Sequence, residues 1–407
     1  MPDTFAADAD DADIVAPEEL VERARALVPV IREEQERTER DRRVPAELFE
    51  RLVDADLYRV LQPRRYGGFE HGFDTFVDLA FEISRACGST GWVYSITSKY
   101  QWLLGMFTPE AQEDVWGDDR SARTCASFTP TGTATPVDGG YRISGSWGFC
   151  SGLDNCPWVL VAVNVPDAEG DKIAERGYVI VPREQLGVDD DWHVVGLTGT
   201  GSKTVLADDL FVPGHRYLSI EDSLSGNPPG AAVNPGPSFR IPAFAALSIS
   251  VCTPTIGMAQ GAYDEFVGAT RDRVTRGAAL SQPVPMAEIP TIQIRIGDAA
   301  ACIDAAKMIV KRDAKALLET VAAGQELTVE QRARNKGDLG FAAGLALRAV
   351  DGLFEAGGGK GMHLGSRLQR YWRDAHAGAM HISVNRDAVL GLYGRVELGL
   401  PAGPAQF

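Results

Sequence analysis

The feature that most limits the fold is a change of period along the chain. From Arg240 onward, apolar residues recur at helical spacing in four runs, approximately 242–275, 287–323, 328–356 and 365–396. Helices of that length each carry an apolar stripe that only helices of similar length can cover, so a four-helix bundle is predicted. The third run opens on Thr328-Val-Glu-Gln331, a capping box in which the Thr oxygen meets one orphan amide and the Gln another. Between Thr124 and Leu206 the texture is different. Short runs such as Gly140 to Ser144, Trp158 to Val163, Gly177 to Val181 and Lys203 to Leu206 are rich in Val, Ile, Tyr and Trp and are separated by turns. Such spacing predicts a compact antiparallel barrel or sandwich.

Residues 17–122 read as helical. Leu20, Ala24, Leu27 and Ile31 share one helical face behind Pro17, and a second helix is expected near Pro45. The turn Pro63 to Gly68 closes that unit, and Asp74 to Phe107 forms a long apolar helical region expected to break near Gly88. Ser223 to Pro237, dense in Pro and Gly, reads as a loop. The predicted division is an acidic, disordered tail over 1–16, a helical domain over 17–122, a β-barrel domain over 123–230 and the bundle over 231–407.

Charge narrows the function. With 40 Lys and Arg against 56 Asp and Glu, the net charge of −16 argues against nucleic acid or an anionic membrane as the main partner. The six cysteines are scattered and form no CxxC pair, which suits reduced thiols in the cytoplasm. No secretory signal is read at the N-terminus, no metal-ligand motif stands out, and no GxGxxG follows a predicted strand, so NAD(P)H binding is not expected.

Several local sequences, in order, resemble the acyl-CoA dehydrogenase superfamily. They are the turn Pro63 to Gly68, Gly196-Leu-Thr-Gly-Thr-Gly-Ser202 followed by Asp208-Asp-Leu-Phe-Val-Pro213, Gly257-Met-Ala-Gln260, and Gly357-Gly-Gly-Lys-Gly361 followed by Gln369-Arg-Tyr-Trp-Arg-Asp374. The resemblance covers about residues 17 to 396. It implies an α+β, acyl-CoA dehydrogenase-like fold: an N-terminal α-helical domain, a central β-barrel and a C-terminal four-helix bundle, assembled as a homotetramer. A dehydrogenase of this fold needs a carboxylate base. Ile382 stands where the usual glutamate would be, and the alternative position falls at Leu247 or Ser248.

The chain looks closer to the subgroup of two-component flavin monooxygenases, whose oxygenase takes reduced FMN or FAD from a separate flavin reductase by diffusion. The features are Gly91-Trp92-Val93, Trp147-x-Phe149-x-Ser151-Gly152 and Arg373-Asp374-x-His376. By that resemblance, Ser151 hydrogen-bonds flavin N5 and His376 lies beside the oxygen adduct at C4a, which must be kept from water. Trp92, Ser127 and Phe149 match flavin-wall positions, and Arg273 matches an arginine that reaches a flavin phosphate across a subunit interface. Gly358 and Gly359 would let backbone amides approach that phosphate. Tyr100 occupies the position of a histidine that contacts the substrate phenol. His381, five residues after His376 and off its helical face, is read as structural. Hydroxylation of an aromatic or polycyclic small molecule is the expected reaction. The alternatives are N-oxygenation of an amine, such as an amino sugar, and acyl-CoA dehydrogenation.

Overall fold

The computed structural model describes residues 14–168, 170–275 and 283–403; most of the acidic tail, residues 1–13, lies outside them. The N-terminal part holds six helices: α1 (Pro17–Glu33), α2 (Gln35–Arg40), α3 (Ala46–Asp54), α4 (Phe73–Ala86), α5 (Gly88–Leu104) and α6 (Pro109–Trp116). Pro17 opens α1 with no amide to waste, and Leu20, Ala24 and Ile31 are buried as the periodicity required. The break between α4 and α5 falls at Cys87, whose backbone is extended. In the turn closing this unit, Gly67 adopts φ +80°, and a side chain on Gly68 would collide with the carbonyl of Gln62.

The strands β1 (Thr124–Val137), β2 (Gly140–Cys150), β3 (Trp158–Pro166), β4 (Ile173–Pro182), β5 (Gly187–Asp189), β6 (Lys203–Pro213) and β7 (Tyr217–Ser219) form one sheet, ordered β5-β6-β2-β1-β3-β4-β7. The closed, antiparallel barrel expected from the sequence is corrected on two points. The sheet ends in two edges, β5 and β7, of three residues each, too short to close a cylinder on one another. In addition, β1 runs parallel to β3 along Thr124–Ser127 and antiparallel to β2 along Thr133–Val137, with a register slip after Ser127. The Trp147 ring is fully buried beneath the sheet and its Nε1 donates to Ala162 O at 2.7 Å. Gly132 and Gly145 make room for it, since a Cβ on either would lie within 2.8 Å of the ring.

After the short helices α7 (Ile220–Leu224) and α8 (Ala243–Leu247) come α9 (Ile249–Arg271), α10 (Pro290–Ala322), α11 (Val329–Gly357), α12 (Arg367–Ala379) and α13 (Arg386–Glu397). The segment Ala243–Arg271 is long and apolar enough to cross a membrane by composition, but it is buried here as the central helix of the bundle. Two glycines set its crossings. A Cβ on Gly257 would meet Ser84 on α4 at 2.5 Å, and one on Gly261 would meet the Tyr371 ring on α12 at 2.5 Å. Thr328 and Gln331 form the expected reciprocal cap on α11. The last predicted helix is two. The chain leaves α12 at Met380, turns through Ile382–Val384, and restarts at Asn385, whose side chain accepts from Ala388 N.

Candidate active site

Several of the motifs singled out in the sequence meet at one junction. The turn Gly196 to Ser202 is its hub. Leu197 N–H donates to Asp374 Oδ1 on α12 at 2.6 Å, and Gly199 N–H to Ser89 Oγ on α5 at 3.2 Å. A Cβ on Gly199 would lie 2.4 Å from Thr38, and one on Gly196 would lie 2.4 Å from Arg373 O, so these glycines let the turn press against both helices. From the other side, Thr200 O accepts from Gly152 N at 2.9 Å, tying the turn to the end of β2.

Ser151 lies where β2 ends, buried, its Oγ 2.7 Å from Ser202 Oγ, which is 2.6 Å from Thr200 Oγ1. The three hydroxyls form a chain that can hold a proton at Ser151 and relay its orientation from the turn. Phe149, two residues earlier, has φ +63° on a non-glycine backbone and is 67% exposed, packed edge-on against Trp192. A strained backbone presenting a large apolar ring to open space is a recurring feature of ligand walls. Gly152, at φ +80°, sits within van der Waals reach of Val93 and Thr97 on α5. Ser127 is buried on β1 and its Oγ has no hydrogen-bond partner among the described residues. An orphaned buried hydroxyl costs free energy unless a ligand satisfies it.

The two histidines exchange their expected positions. His376 is half-exposed; its Nε2 lies 2.9 Å from Asp351 Oδ1 on α11, and its ring packs against Trp372. Gly378 on the same helix faces Trp92 and Thr255, and two residues correspond to about 200° of turn, so His376 points away from Trp92. His381 faces Trp92 instead, with ring centroids 6.2 Å apart. His381 lies off the face of His376, as its spacing implied, and because the helix ends at Met380 it is His381 that comes beside the Trp92 ring. Burial, then Lys99 and Lys336, push its imidazole down to about 4, so it is neutral at physiological pH. Its Nδ1 accepts from Ser383 N, which leaves Nε2 as the nitrogen that carries the proton.

Tyr100 is buried and makes edge contact with Phe128, which in turn contacts Tyr178. Both possible positions for a dehydrogenase base lack a carboxylate. Ile382 is 73% exposed, and Ser248 accepts a hydrogen bond from the Lys336 ammonium. The carboxylate nearest the junction, Asp374, is committed to Leu197 N–H and pushed up to about 6 by burial. Its neighbours Arg370 and Arg373 both bind Glu39 on α2, so the Arg-rich motif of α12 is a clamp between domains.

A second group assembles at the far end of α9. Arg273 Nη1 donates to Gly357 O at 3.0 Å, Gly358 takes φ +59° beside the same guanidinium, and Gly359 faces open space. Thr255 beside Gly378 and Arg271 at the end of α9 are sixteen residues apart, about 24 Å along the helix. Arg273, Gly358 and Gly359 are thus brought together, but away from the Trp92 and Ser151 junction of the same chain. Two surface depressions, one along Ile173–Arg176 and Ile220–Ser225 and one between α10 and α11, include neither Trp92, Ser151 nor His381.

Comparison with known proteins follows this geometry. Residues 16–118 match the family described as acyl-CoA dehydrogenase, N-terminal domain, and residues 249–386 the acyl-CoA dehydrogenase C-terminal domain. The chain is 40% identical over 387 residues to the oxygenase component of an FADH2-dependent resorcinol hydroxylase from Rhizobium sp., covering 94% of each chain. It is 37% identical to the oxygenase subunit HsaA of a flavin-dependent monooxygenase from Rhodococcus jostii, covering 94% of this chain and 98% of that one. Among solved structures, the 3-HSA hydroxylase from Rhodococcus sp. superposes with a TM-score of 0.89 at 37% identity over 94% of this chain and 97% of the other. XiaF from Streptomyces sp., solved with FADH2 and glycerol, gives a TM-score of 0.87 at 32% identity over 96% and 98%. The chain therefore belongs to the acyl-CoA dehydrogenase superfamily, in its branch of flavin-dependent monooxygenase oxygenase components.

Proposed function

We propose that this chain is the oxygenase of a two-component system that takes reduced FMN or FAD from a separate flavin reductase and, with O2, hydroxylates an aromatic small molecule. The observation that carries this reading is the character of the junction. Where a dehydrogenase keeps a carboxylate, this chain has Ile382 and a lysine-bound Ser248, and the titratable groups nearby are Lys99, Lys336, a neutral His381 and an Asp374 already committed to Leu197 N–H. The names of the relatives support it and weigh for an aromatic substrate over an amine.

Reduced flavin would supply the electrons that activate O2. The orphaned Ser127 hydroxyl, the Ser151–Ser202–Thr200 chain and the Trp92 and Phe149 rings suit a large polar heterocycle, and these residues would hold it. Arg273 and the amides of Gly358 and Gly359 would take its phosphate. Because the two groups lie at opposite ends of α9, each complete site would combine two copies of the chain, in keeping with a homotetramer. Ser151 would hold a proton at its Oγ toward the flavin. His381, rather than His376, would donate from Nε2 toward the flavin, and the burial of Trp92 and Tyr100 would keep water from it. The cytoplasm, where reductase and reduced flavin are available, is the matching compartment.

The test is binding. Protein titrated anaerobically with reduced FMN and FADH2, then with the oxidised forms, should bind at least one reduced form more tightly. Equal weak affinity for both redox states would reject the reading.

A further inference from the structure

Two lysines are buried beside the junction, and neither meets a carboxylate among the described residues. Lys99, on α5, is 3% exposed; among the described residues its ammonium meets only ring faces, Tyr100 at 4.9 Å and Phe128 at 5.6 Å. Lys336, on α11, is 7% exposed and donates to the neutral Ser248 hydroxyl. Elsewhere the chain pairs such groups: Lys203 has Asp154 at 2.7 Å, and Lys307 and Lys311 share Asp78. An ammonium removed from water without a counter-ion is costly.

The two lysines approach each other across the start of α9: Ser95, one turn before Lys99 on α5, donates to Ser250 O at 2.6 Å, and Ser248, two residues before Ser250, accepts from Lys336. In keeping with that proximity, Lys336 opposes the charging of Lys99, and both oppose protonation of His381. The other groups around Lys99 bring no negative charge: burial pushes the phenols of Tyr100 and Tyr178 up, so both stay neutral. The Tyr100 ring lies edge-on to Phe128 and forms part of the same aromatic wall. The two lysines are thus set among aromatic rings and neutral hydroxyls, with no carboxylate paired to either among the described residues.

Taking the oxygenase reading as given, we propose that Lys99 and Lys336 receive an oxyanion carried by the aromatic substrate, either the ionised oxygen of a phenol or a carboxylate on the ring. For a phenol, the proton passes from the substrate oxygen to the neutral Lys99 amine. The O–H bond breaks, an N–H bond forms, and a phenolate–ammonium pair results with no oxidant or reductant needed. The amine form is accessible because burial, then Lys336, push Lys99 down to about 7. An ionised oxygen raises electron density at the neighbouring ring carbons, which favours attack by an electrophilic oxygen. A carboxylate would arrive already charged and pair with the protonated lysine.

Flavin-free protein is titrated with 4-nitrophenol below the pKa of the free phenol, where only the anion is yellow, and separately with benzoate. The proposal expects at least one of the two to bind, and Lys99→Met and Lys336→Met each to weaken it by about tenfold or more, as loss of a charge-assisted hydrogen bond implies. Yellow bound 4-nitrophenol assigns a phenolate site; preference for benzoate assigns a carboxylate site. Equal affinity in wild type and both variants, or no binding of either probe at millimolar concentration, overturns the proposal. Both variants remove a buried charge at similar volume, so folding is retained. Reduced-flavin affinity, measured on the same samples, separates the two readings. If wild type binds reduced flavin but neither anion, only the lysine proposal falls; if it binds no reduced flavin, the oxygenase reading falls.

Discussion

Replacing Lys99 by methionine should stabilise the flavin-free protein, and by an amount that depends on pH. The side chains are similar in length, so the packing against Tyr100 and Phe128 is kept while the buried charge goes. In the native state the Lys99 ammonium falls from 10.5 to about 7. At about 1.4 kcal/mol per tenfold change, its burial costs on the order of 3–5 kcal/mol when both folded and unfolded chains are protonated. Because the native pKa is depressed, the unfolded state binds the extra proton between pH 7 and 10.5, and wild-type stability rises with pH through that window. At pH 6 the full cost applies. At pH 9 roughly 2 kcal/mol of it remains. Lys336, pushed down to about 8 by burial, titrates in the same window in both proteins, and what differs between them is its repulsion of Lys99, which is already part of the Lys99 shift. Urea unfolding followed by tryptophan fluorescence should place the Lys99→Met midpoint above wild type at pH 6, with the gap narrowing by about half at pH 9. A gap independent of pH, or a less stable variant at pH 6, would refute the claim that Lys99 is an uncompensated buried cation.

Other outcomes follow from the same structure. Ser151→Ala cuts the hydroxyl chain to Ser202 and Thr200, and should raise the fraction of O2 released as H2O2 several-fold with little change in thermal midpoint, read by a peroxidase-coupled assay. Gly261→Ala puts a methyl 2.5 Å from the Tyr371 ring, which is hydrogen-bonded to Arg85 O and Ala86 O. It should lose about 1–3 kcal/mol by overpacking in a denaturation experiment. Arg273→Met should weaken flavin binding about tenfold or more in equilibrium dialysis while costing about 1 kcal/mol of stability for the bond to Gly357 O. Thr328→Ala removes the cap on α11 and should lower stability by about 1 kcal/mol.

What the sequence disclosed was set by range. Local devices were legible: the capping box at Thr328 and the break before Gly88 act within a few residues, whereas the 196–202 turn, whose glycines press on Thr38 and Arg373, was read through resemblance. The association of Arg273 with Gly358 was legible only through resemblance, because 85 positions separate them. Strand pairing was not legible. Alternation gives each strand its faces but not its neighbour, so the parallel β1–β3 pairing and the free edges at β5 and β7 needed the fold. The histidine reading turned on one boundary. Resemblance put His376 beside the flavin, and assuming a continuous helix from 365 to 396 then set His381 aside. The cap-forming Asn385 was a signal that the helix stops earlier. Lys99 was also in view, a single charge within the seventeen residues of α5 among Trp92, Tyr94, Tyr100 and Trp102. Periodicity treats such a residue as an exception, and only burial reveals its cost.

The most direct test of the account is to mix the protein, preloaded anaerobically with reduced flavin, with oxygenated buffer and to follow oxidised flavin and H2O2 together. The junction described here predicts a distinct lag before both appear, shortened in Ser151→Ala and in His381→Ala but not in His376→Ala. Immediate and equal release from all four proteins, or anaerobic reduction of bound oxidised flavin by an acyl thioester, would contradict it.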